Sequence, residues 1–469
     1  MAATDAESTA VTTSGFGPAK PSSTEPAAIR HPSSRARLYR LLWRWHFYAG
    51  LITAPVLLIA SITGAIYVFI HELQPVMYPD LFVSENTSDD ASATTTKTTL
   101  LDDAVAAALK AYPKAKPAAA AEPREPGRNA TVALNLPEGF RTAFVDPATL
   151  NVKGLYDEPN SFFGIVLGIH RRLLAGSVGR MLVEITAAWG LILLLTGVYL
   201  WWPQRLGRPK LPVVGVWYPR SSGPLLPVLR DWHAVVGFYS LITAGFVLFT
   251  GLFFTQVFGN AYKRATNLGG ETPAGAFAVK PVSEDAGGRA RITFAKALEA
   301  AEPHLVGHGP RRVQIPGSPQ DTFRVTRVDW SNPTWKTTVF VDAYSGRVVH
   351  TTNWDDAPLA HKVRLSVYPI HTGEIFGLTT KILALLTCLA LALLAVTGAW
   401  MWWRKRPHGT WGLPPSNAEL NVPKWLLASI VVLGVLLPAV GISILFILLG
   451  DAILVRLARR RSNAAASES

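Results

Sequence analysis

Five apolar runs decide what this chain can fold into: Phe47–Ile70, Leu182–Trp202, Val235–Phe258, Ile382–Trp403 and Trp425–Val455. Segments of about 18 or more apolar residues are long enough to cross a bilayer as helices. Charged residues make up only 16% of the 469, against about 25% in a soluble globular chain. The first run is about 24 residues long with no small-residue cleavage site after it, too long for the apolar core of a signal peptide. The expected class is a polytopic α-helical membrane protein.

The net charge of +13 invites a nucleic-acid or membrane partner until the basic residues are located. Arg30, Arg35, Arg37, Arg40 and Arg44 precede the first run. Arg205, Arg208, Lys210, Arg220 and Arg230 follow the second, against the single acid Asp231, and Arg404, Lys405 and Arg406 follow the fourth. By the positive-inside rule these segments are cytoplasmic. The charge therefore reports topology; the lipid bilayer is the expected partner, and nucleic acid is not. The single cysteine, Cys388, lies in an apolar run. It excludes a disulfide framework, a cysteine zinc site, a four-thiolate cluster and covalent C-x-x-C-H haem attachment. Metal chemistry here has to rest on histidine, carboxylate or a non-covalent cofactor.

The two long connections then lie outside the cytoplasmic membrane. Each opens with a helical pattern, LLDDAVAAALKAYP or ITFAKALEAAEP. Each continues into strand-like segments, TVALNLP and RTAFVDPATLNVKG in one, TFRVTRVDW and KTTVFVDAYSGRVVH in the other. Two small α+β domains are expected, at 72–164 and 259–364. Around them the partition reads as a disordered cytoplasmic N-terminus (1–37), span 1 (38–71), a histidine-bearing segment with span 2 (165–203), a cytoplasmic loop (204–232) and span 3 (233–258). A second histidine-bearing segment with span 4 (365–403), a cytoplasmic loop (404–424), a fifth span or hairpin (425–456) and a tail (457–469) complete it. The hairpin alternative bends at Pro438 and Gly441, and would spare Arg456, Arg459, Arg460 and Arg461 from the outer side.

The chain carries one unit twice. WRWHFYAGLITAPVLLIASITGAIYVF aligns without a gap on LRDWHAVVGFYSLITAGFVLFTGLFF, matching His46 with His233, Gly50 with Gly237 and Thr63-Gly64 with Thr250-Gly251. IHRRLLAGSVGRMLVEITAAWGLILLLTGVYLWWPQR aligns likewise on IHTGEIFGLTTKILALLTCLALALLAVTGAWMWWRKR. There His170 meets His371, Thr196-Gly197 meets Thr397-Gly398, and Trp201-Trp202 meets Trp402-Trp403. Both copies run in the same sense, so the two-span units are duplicated about an axis along the membrane normal. His46 and His233 form a cytoplasmic pair; His170 and His371 form an outer one.

Two neutral imidazoles from facing helices can supply both axial ligands of one haem iron. Two such pairs on opposite sides read as a transmembrane electron path; the alternative is interfacial histidines that hydrogen-bond at headgroup depth. His71 has no counterpart, since Phe258 stands at the equivalent position, and is held as a reserve ligand. Arg44 and Arg230, just before the cytoplasmic pair, are candidates for haem propionates or quinone head groups, unless they only set topology. The Thr-Gly pairs allow either close helix approach or room for a macrocycle. Glu184 is either interfacial or a proton relay. Trp330, Trp335 and Trp354 either line a ligand face or pack their domain, and the Trp-Trp pairs fit an interfacial belt.

Four stretches carry a family resemblance: LLWRWHFYAGL with SITGAIYVFIHEL, IHRRLLAG with LTGVYLWWP, LRDWHAVVGFYSLITAGF, and IHTGEIFG with VTGAWMWWRKR. Over roughly residues 38–456 the chain resembles the PepSY-associated transmembrane family, which includes inner-membrane siderophore reductases, and its two α+β domains resemble PepSY domains. The resemblance implies periplasmic PepSY domains, bound haem b on His46, His170, His233 and His371, and reduction of a ferric siderophore in a bacterial inner membrane. The two registered pairs set the expectation at two haem b per chain. No nucleotide fingerprint accompanies the spans, so quinol or a separate reductase is the expected electron donor. A PepSY-bearing sensor or regulator and a transporter are the rival readings. The stretch KAKPAAAAEPREPGRNA departs from the family's pattern. His46 and His71, at the two ends of the first span, stand about 37 Å apart on a helix, a long gap for electron transfer. His170 and His371, about ten residues before their spans, are expected at the outer surface.

Reporter fusions at Gly139 and Gly346 are expected to be active only as periplasmic reporters. Cytoplasmic activity at either site reverses the topology and the direction of electron flow.

Overall fold

The computed structural model describes residues 34–85, 99–206, 214–268, 281–407 apart from 285 and 330, 409, 423–446 and 449. The chain begins with α1 (Ser34–Tyr67), α2 (Ile70–Met77), α3 (Pro79–Phe82) and α4 (Leu100–Ala111), followed by strands β1 (Lys116–Ala121), β2 (Ala130–Leu136), β3 (Gly139–Val145) and β4 (Val152–Tyr156). Next come α5 (Phe162–Arg172), α6 (Gly176–Leu206), α7 (Leu225–Tyr239), α8 (Leu241–Leu252), α9 (Val257–Leu268) and α10 (Phe294–Ala301). Strands β5 (Arg311–Gln314), β6 (Phe323–Arg327), β7 (Thr338–Val341) and β8 (Val348–Thr352) lead to α11 (Leu359–Thr372), α12 (Leu378–Lys405), α13 (Lys424–Leu436) and α14 (Pro438–Phe446).

Among the described residues three helices, α1, α6 and α12, are each long and apolar enough to cross a membrane. The third apolar run is not one straight helix: α7 and α8 meet at 69° across Ser240. The fifth takes the bent form, with α13 and α14 meeting at 119° beside Pro438. A proline removes a backbone donor and cannot continue a helix smoothly. Gly441 meanwhile lets the two arms close, since a Cβ there would stand 2.6 Å from the Gly434 carbonyl oxygen. The hairpin's turn is pinned to the bundle, with Leu437 and Val440 packed against Ala188 and Leu252 and Trp189 Nε1 donating to Ser443 Oγ at 3.0 Å. Helix α1 packs on α6 and α12, α12 on α7, and α6 on α8.

The eight strands form one antiparallel sheet in the order β4-β3-β2-β1-β5-β6-β7-β8. Two four-strand meanders therefore meet edge to edge, with Ala120 opposite Val313 at the seam. The alanine-rich stretch that departs from the family pattern supplies β1. Alanine has little intrinsic strand preference, and this strand is held by pairing on both edges. Alternation along the strands gives the sheet two faces. Val132, Leu134, Ala143, Val145, Val313, Val325 and Val341 point to a core closed by α4 and α10. Thr131, Ala133, Phe140, Thr142 and Phe144 point the other way, toward α2.

The halves are also stitched by charge. Asp102 of α4 accepts from the backbone N–H groups of Phe294 and Ala295 at 2.8 and 2.9 Å, capping the N-terminus of α10. Arg311 pairs with Glu122 across the seam at 2.5 Å. In the β3–β4 turn, burial works against the charge of Asp146. Ser84 and the N–H groups of Glu85, Ala148 and Thr149 nevertheless hold its carboxyl below the usual carboxylate range. Asp342 does the same work in the β7–β8 turn. The N-terminal tail with Arg30 and His31, the loop residues Arg208 and Lys210, Trp330, His408 and the arginines from Arg456 onward lie outside the described residues.

Asp102→Ala leaves two backbone donors without their acceptor, a loss of about 1–3 kcal/mol. The unfolding midpoint of the purified protein in detergent is expected to fall, while Asp103→Ala, which loses only an exposed contact with Thr99, leaves it in place.

Candidate functional site

Each of the four registered histidines docks on one of the four Thr-Gly pairs. His46 of α1 meets Thr196-Gly197 of α6, with Nδ1 2.9 Å from Thr196 Oγ1. His233 of α7 meets Thr397-Gly398 of α12, again at 2.9 Å. His170 at the end of α5 meets Thr63-Gly64 of α1, with Nδ1 3.3 Å from Thr63 Oγ1 and 2.9 Å from the Ala60 carbonyl oxygen. His371 at the end of α11 meets Thr250-Gly251 of α8, 3.1 Å from both Thr250 Oγ1 and the Val247 carbonyl oxygen.

The threonines decide which nitrogen carries the proton. Each hydroxyl already donates to the carbonyl four residues back in its own helix, at 2.6–2.8 Å for Thr63, Thr196, Thr250 and Thr397. A hydroxyl has one hydrogen, so toward histidine its oxygen can only accept. Nδ1 is then the protonated nitrogen in all four rings, and the lone pair is left on Nε2. This is the arrangement a metal-ligating histidine takes, with its other ring N–H tied to a fixed acceptor. The glycines make room for the rings: a Cβ at Gly64, Gly197, Gly251 or Gly398 would stand 3.1–3.4 Å from the Cε1 of the docked histidine. The clearance serves the imidazole, not a neighbouring helix backbone.

The four rings form two pairs. His46 and His233 have ring centres 6.3 Å apart, and His170 and His371 have theirs 6.2 Å apart. Metal–imidazole bonds are about 2 Å long, so the two rings of each pair stand close enough that one metal could be shared between them. Among the described residues no group of three or more histidine, cysteine or carboxylate side chains could hold a bare ion.

The second pair sits deeper than its place in the sequence suggests. Helices α5 and α11 end in left-handed residues, Leu173 (φ 50°) and Gly373 (φ 76°), which reverse the chain just past each histidine. The imidazoles are thereby seated on the spans, and His170 lies at the level of Ala60 and Thr63, not at the surface. Thr63 is 17 residues beyond His46 on one unbroken helix, a rise of about 26 Å. The separation is correspondingly shorter than the span-end distance of His46 and His71. His71 itself is turned to Glu374, with Nε2 3.2 Å from Oε1.

The remaining candidates fall as follows. Arg230 pairs with the buried Asp231 at 3.3 Å, beside Arg220 at 2.5 Å, and Arg44 lies half-buried on α1. Glu184, fully buried, accepts from Val257 N and Phe258 N at 2.8 and 2.7 Å and so caps α9. Trp335 stacks edge-on to His308 at 5.5 Å, and Lys362 lies over Trp354 at 5.9 Å, contacts that pack the domain. Trp201 is buried against Phe238, while Trp202 and Trp403 are exposed, as a belt requires. The Thr-Gly pairs stood out in the sequence as sites of close helix approach or macrocycle clearance, but the role of Thr63, Thr196, Thr250 and Thr397 as acceptors for the four histidines was not read there. Their registered recurrence with the histidines was the signal.

Between the free face of the sheet and α2 lies a cavity of about 320 Å³. Its wall carries Arg124, Arg312 and Glu158 with Phe82 and Phe140, and His71 stands at its α2 side. The corresponding side of the second half is occupied differently. There the β6–β7 connection contains a short turn of helix, Pro333–Trp335, that packs on α11, where β2 and β3 are joined by Pro137 and Glu138 alone.

The sequence profile of the PepSY-associated TM region matches residues 43–405. No curated protein matches the chain.

Thr196→Val leaves the N–H of His46 with no acceptor and is expected to lower stability by about 1–3 kcal/mol. Thr63→Val is expected to cost less, because His170 keeps the Ala60 carbonyl. Unfolding midpoints in detergent check the order, and Thr196→Ser should restore the wild-type value.

Proposed function

The chain belongs to the PepSY-associated transmembrane family, and from that premise we propose that it carries electrons through two haem groups to a ferric siderophore. The observation that supports this best is the set of four histidine sockets, paired at 6.3 and 6.2 Å, each with Nδ1 bound to its threonine and the Nε2 lone pair left over. Haem b bound at each pair would supply a reversible one-electron centre without a covalent link. His46 with His233, and His170 with His371, would hold the iron. The threonines fix ring orientation, the glycines give clearance, and the apolar helices keep water away.

On this reading the helices are two copies of a two-span unit, and the pairs sit at the interface between copies. The protein lies in a bacterial inner membrane with its N-terminus in the cytoplasm and the sheet in the periplasm. Electrons enter at His46 and His233 from quinol or a separate reductase and leave at His170 and His371. A ferric siderophore is too polar to enter the bilayer and approaches from the sheet side, where the cavity offers both signs of charge and aromatic surface. Reduction releases the iron, because oxygen-donor siderophores grip Fe(III) far more tightly than Fe(II).

Pyridine haemochrome titration of purified protein should give about two haem b per chain. His46→Ala or His233→Ala should remove one and leave the other. His371→Ala should stop reduction of an external ferric siderophore in proteoliposomes while the remaining haem is still reduced by quinol. A wild-type ratio near zero ends this reading in favour of a sensor or transporter.

A further inference from the structure

We infer that His71, backed by Glu374, is the proton donor to the chelate reduced in the cavity; this rests on the electron-transfer reading above. His71 opens α2 and lines the cavity. Its Nε2 lies 3.2 Å from Glu374 Oε1, but the contact lacks hydrogen-bond geometry. His71 Nε2 and Glu374 Oε2 are both buried without a hydrogen-bond partner. Glu374 is only 7% exposed at its side chain.

The other deeply buried carboxylates of this side are saturated. Asp146 and Asp342 each collect at least three donors, and Glu184 takes two backbone N–H groups. An orphaned buried polar atom costs about 1–3 kcal/mol, and its persistence points to a missing partner. The nearby cations do not fill the gap. Lys381 is bound to Glu72 at 2.6 Å, and Lys336 donates to the Asp329 carbonyl at 2.6 Å. Both atoms are closed off from the cavity, which Glu374 does not line, so the partner that location supplies is a proton in transit between them.

The location joins the two particles that reduction requires. Glu374 follows His371 by three residues, just past the left-handed Gly373 that ends α11, so the pair lies between the electron exit and the cavity. When one electron from the sheet-side pair reduces Fe(III) to Fe(II), an iron–oxygen bond of the chelate breaks and leaves an anionic oxygen. The Nδ1–H bond of the His71 imidazolium breaks as an O–H bond forms on that oxygen, Nε2 being turned to Glu374. The neutral ring regains its proton through Glu374 from water. One electron and one proton arrive together, and the net charge in the cavity returns to its starting value.

The test uses haem-loaded protein in nanodiscs, reduced with dithionite, freed of excess and mixed with a ferric trihydroxamate and a chromogenic ferrous chelator. Wild-type iron release should slow in D₂O. His71→Gln should slow release at least ten-fold, in keeping with the roughly 10²–10⁴-fold contribution of a positioned acid, and should lose the isotope effect. Haem content and chelate affinity should stay at wild-type values, and imidazole should partly restore His71→Ala. With quinol supplied continuously in place of the single reduction, Glu374→Gln should slow re-protonation, and so repeated turnovers, more than the first. Release at wild-type rate in His71→Gln with the isotope effect intact overturns the proposal, as does haem loss or chelate loss in that variant, which would make the pair structural. A wild-type protein that binds haem but leaves the chelate ferric, or binds none, sinks the electron-transfer reading itself and this proposal with it.

Discussion

The contact on which the rest of this structure depends is a histidine N–H donated to a threonine whose own hydrogen is already committed to its helix. That hydroxyl cannot turn donor without breaking its bond to the carbonyl four residues back. The tautomer of each ring is therefore set by the helix it docks on, before any ligand is present. Placing Nδ1 against Oγ1 also fixes the helices. His46 ties α1 to α6 and His233 ties α7 to α12. His170 and His371 oblige α5 and α11 to dip onto α1 and α8, and the reversals at Leu173 and Gly373 follow from that demand. A non-glycine residue with positive φ is uncommon; Leu173 and its neighbour Leu174 both adopt one, a local cost set against the seating of one ring.

Above the helices the two meanders fuse at β1 and β5 into one sheet, so whatever enters the cavity meets both halves: β1 to β3 from one, Arg312 and Val328 from the other. The halves then differ where it matters. A two-residue turn joins β2 to β3, while a longer connection folded around Trp335 joins β6 to β7 and leans on α11. Phe258 holds the register position that His71 holds in the first copy, and it is occupied in an aromatic cluster with Phe249 and Phe253. The symmetric parts position the four imidazoles, and the asymmetric parts shape one side of the sheet.

Much of this was legible in residue order. The apolar runs marked the membrane helices, and the gapless register paired the histidines before any coordinate did. The Thr-Gly pairs were visible too, but their partner was not, because nothing local says that a glycine's empty side faces an imidazole from another helix. The depth of His170 escaped notice for a related reason: a left-handed leucine has no sequence signature. Strand β1 was hidden by its alanines, whose place in the sheet comes from neighbours on both edges. The break at Ser240 lies within a uniformly apolar run, where periodicity carries no signal. Pro438 and Gly441, by contrast, marked where the last run would bend if it did, while leaving a single span open as the alternative.

The ring planes give the most direct measurement. His46 and His233 are nearly perpendicular at 84°, whereas His170 and His371 are tilted by 53°. The splitting of a low-spin ferric haem depends on the angle between its axial imidazoles, and perpendicular planes give the more anisotropic signal. Electron paramagnetic resonance of the oxidised protein should therefore show two low-spin bis-imidazole signals. The more anisotropic should vanish in His233→Ala and the other in His371→Ala. A single signal, a high-spin wild-type spectrum, or two signals that both survive these substitutions would contradict the account.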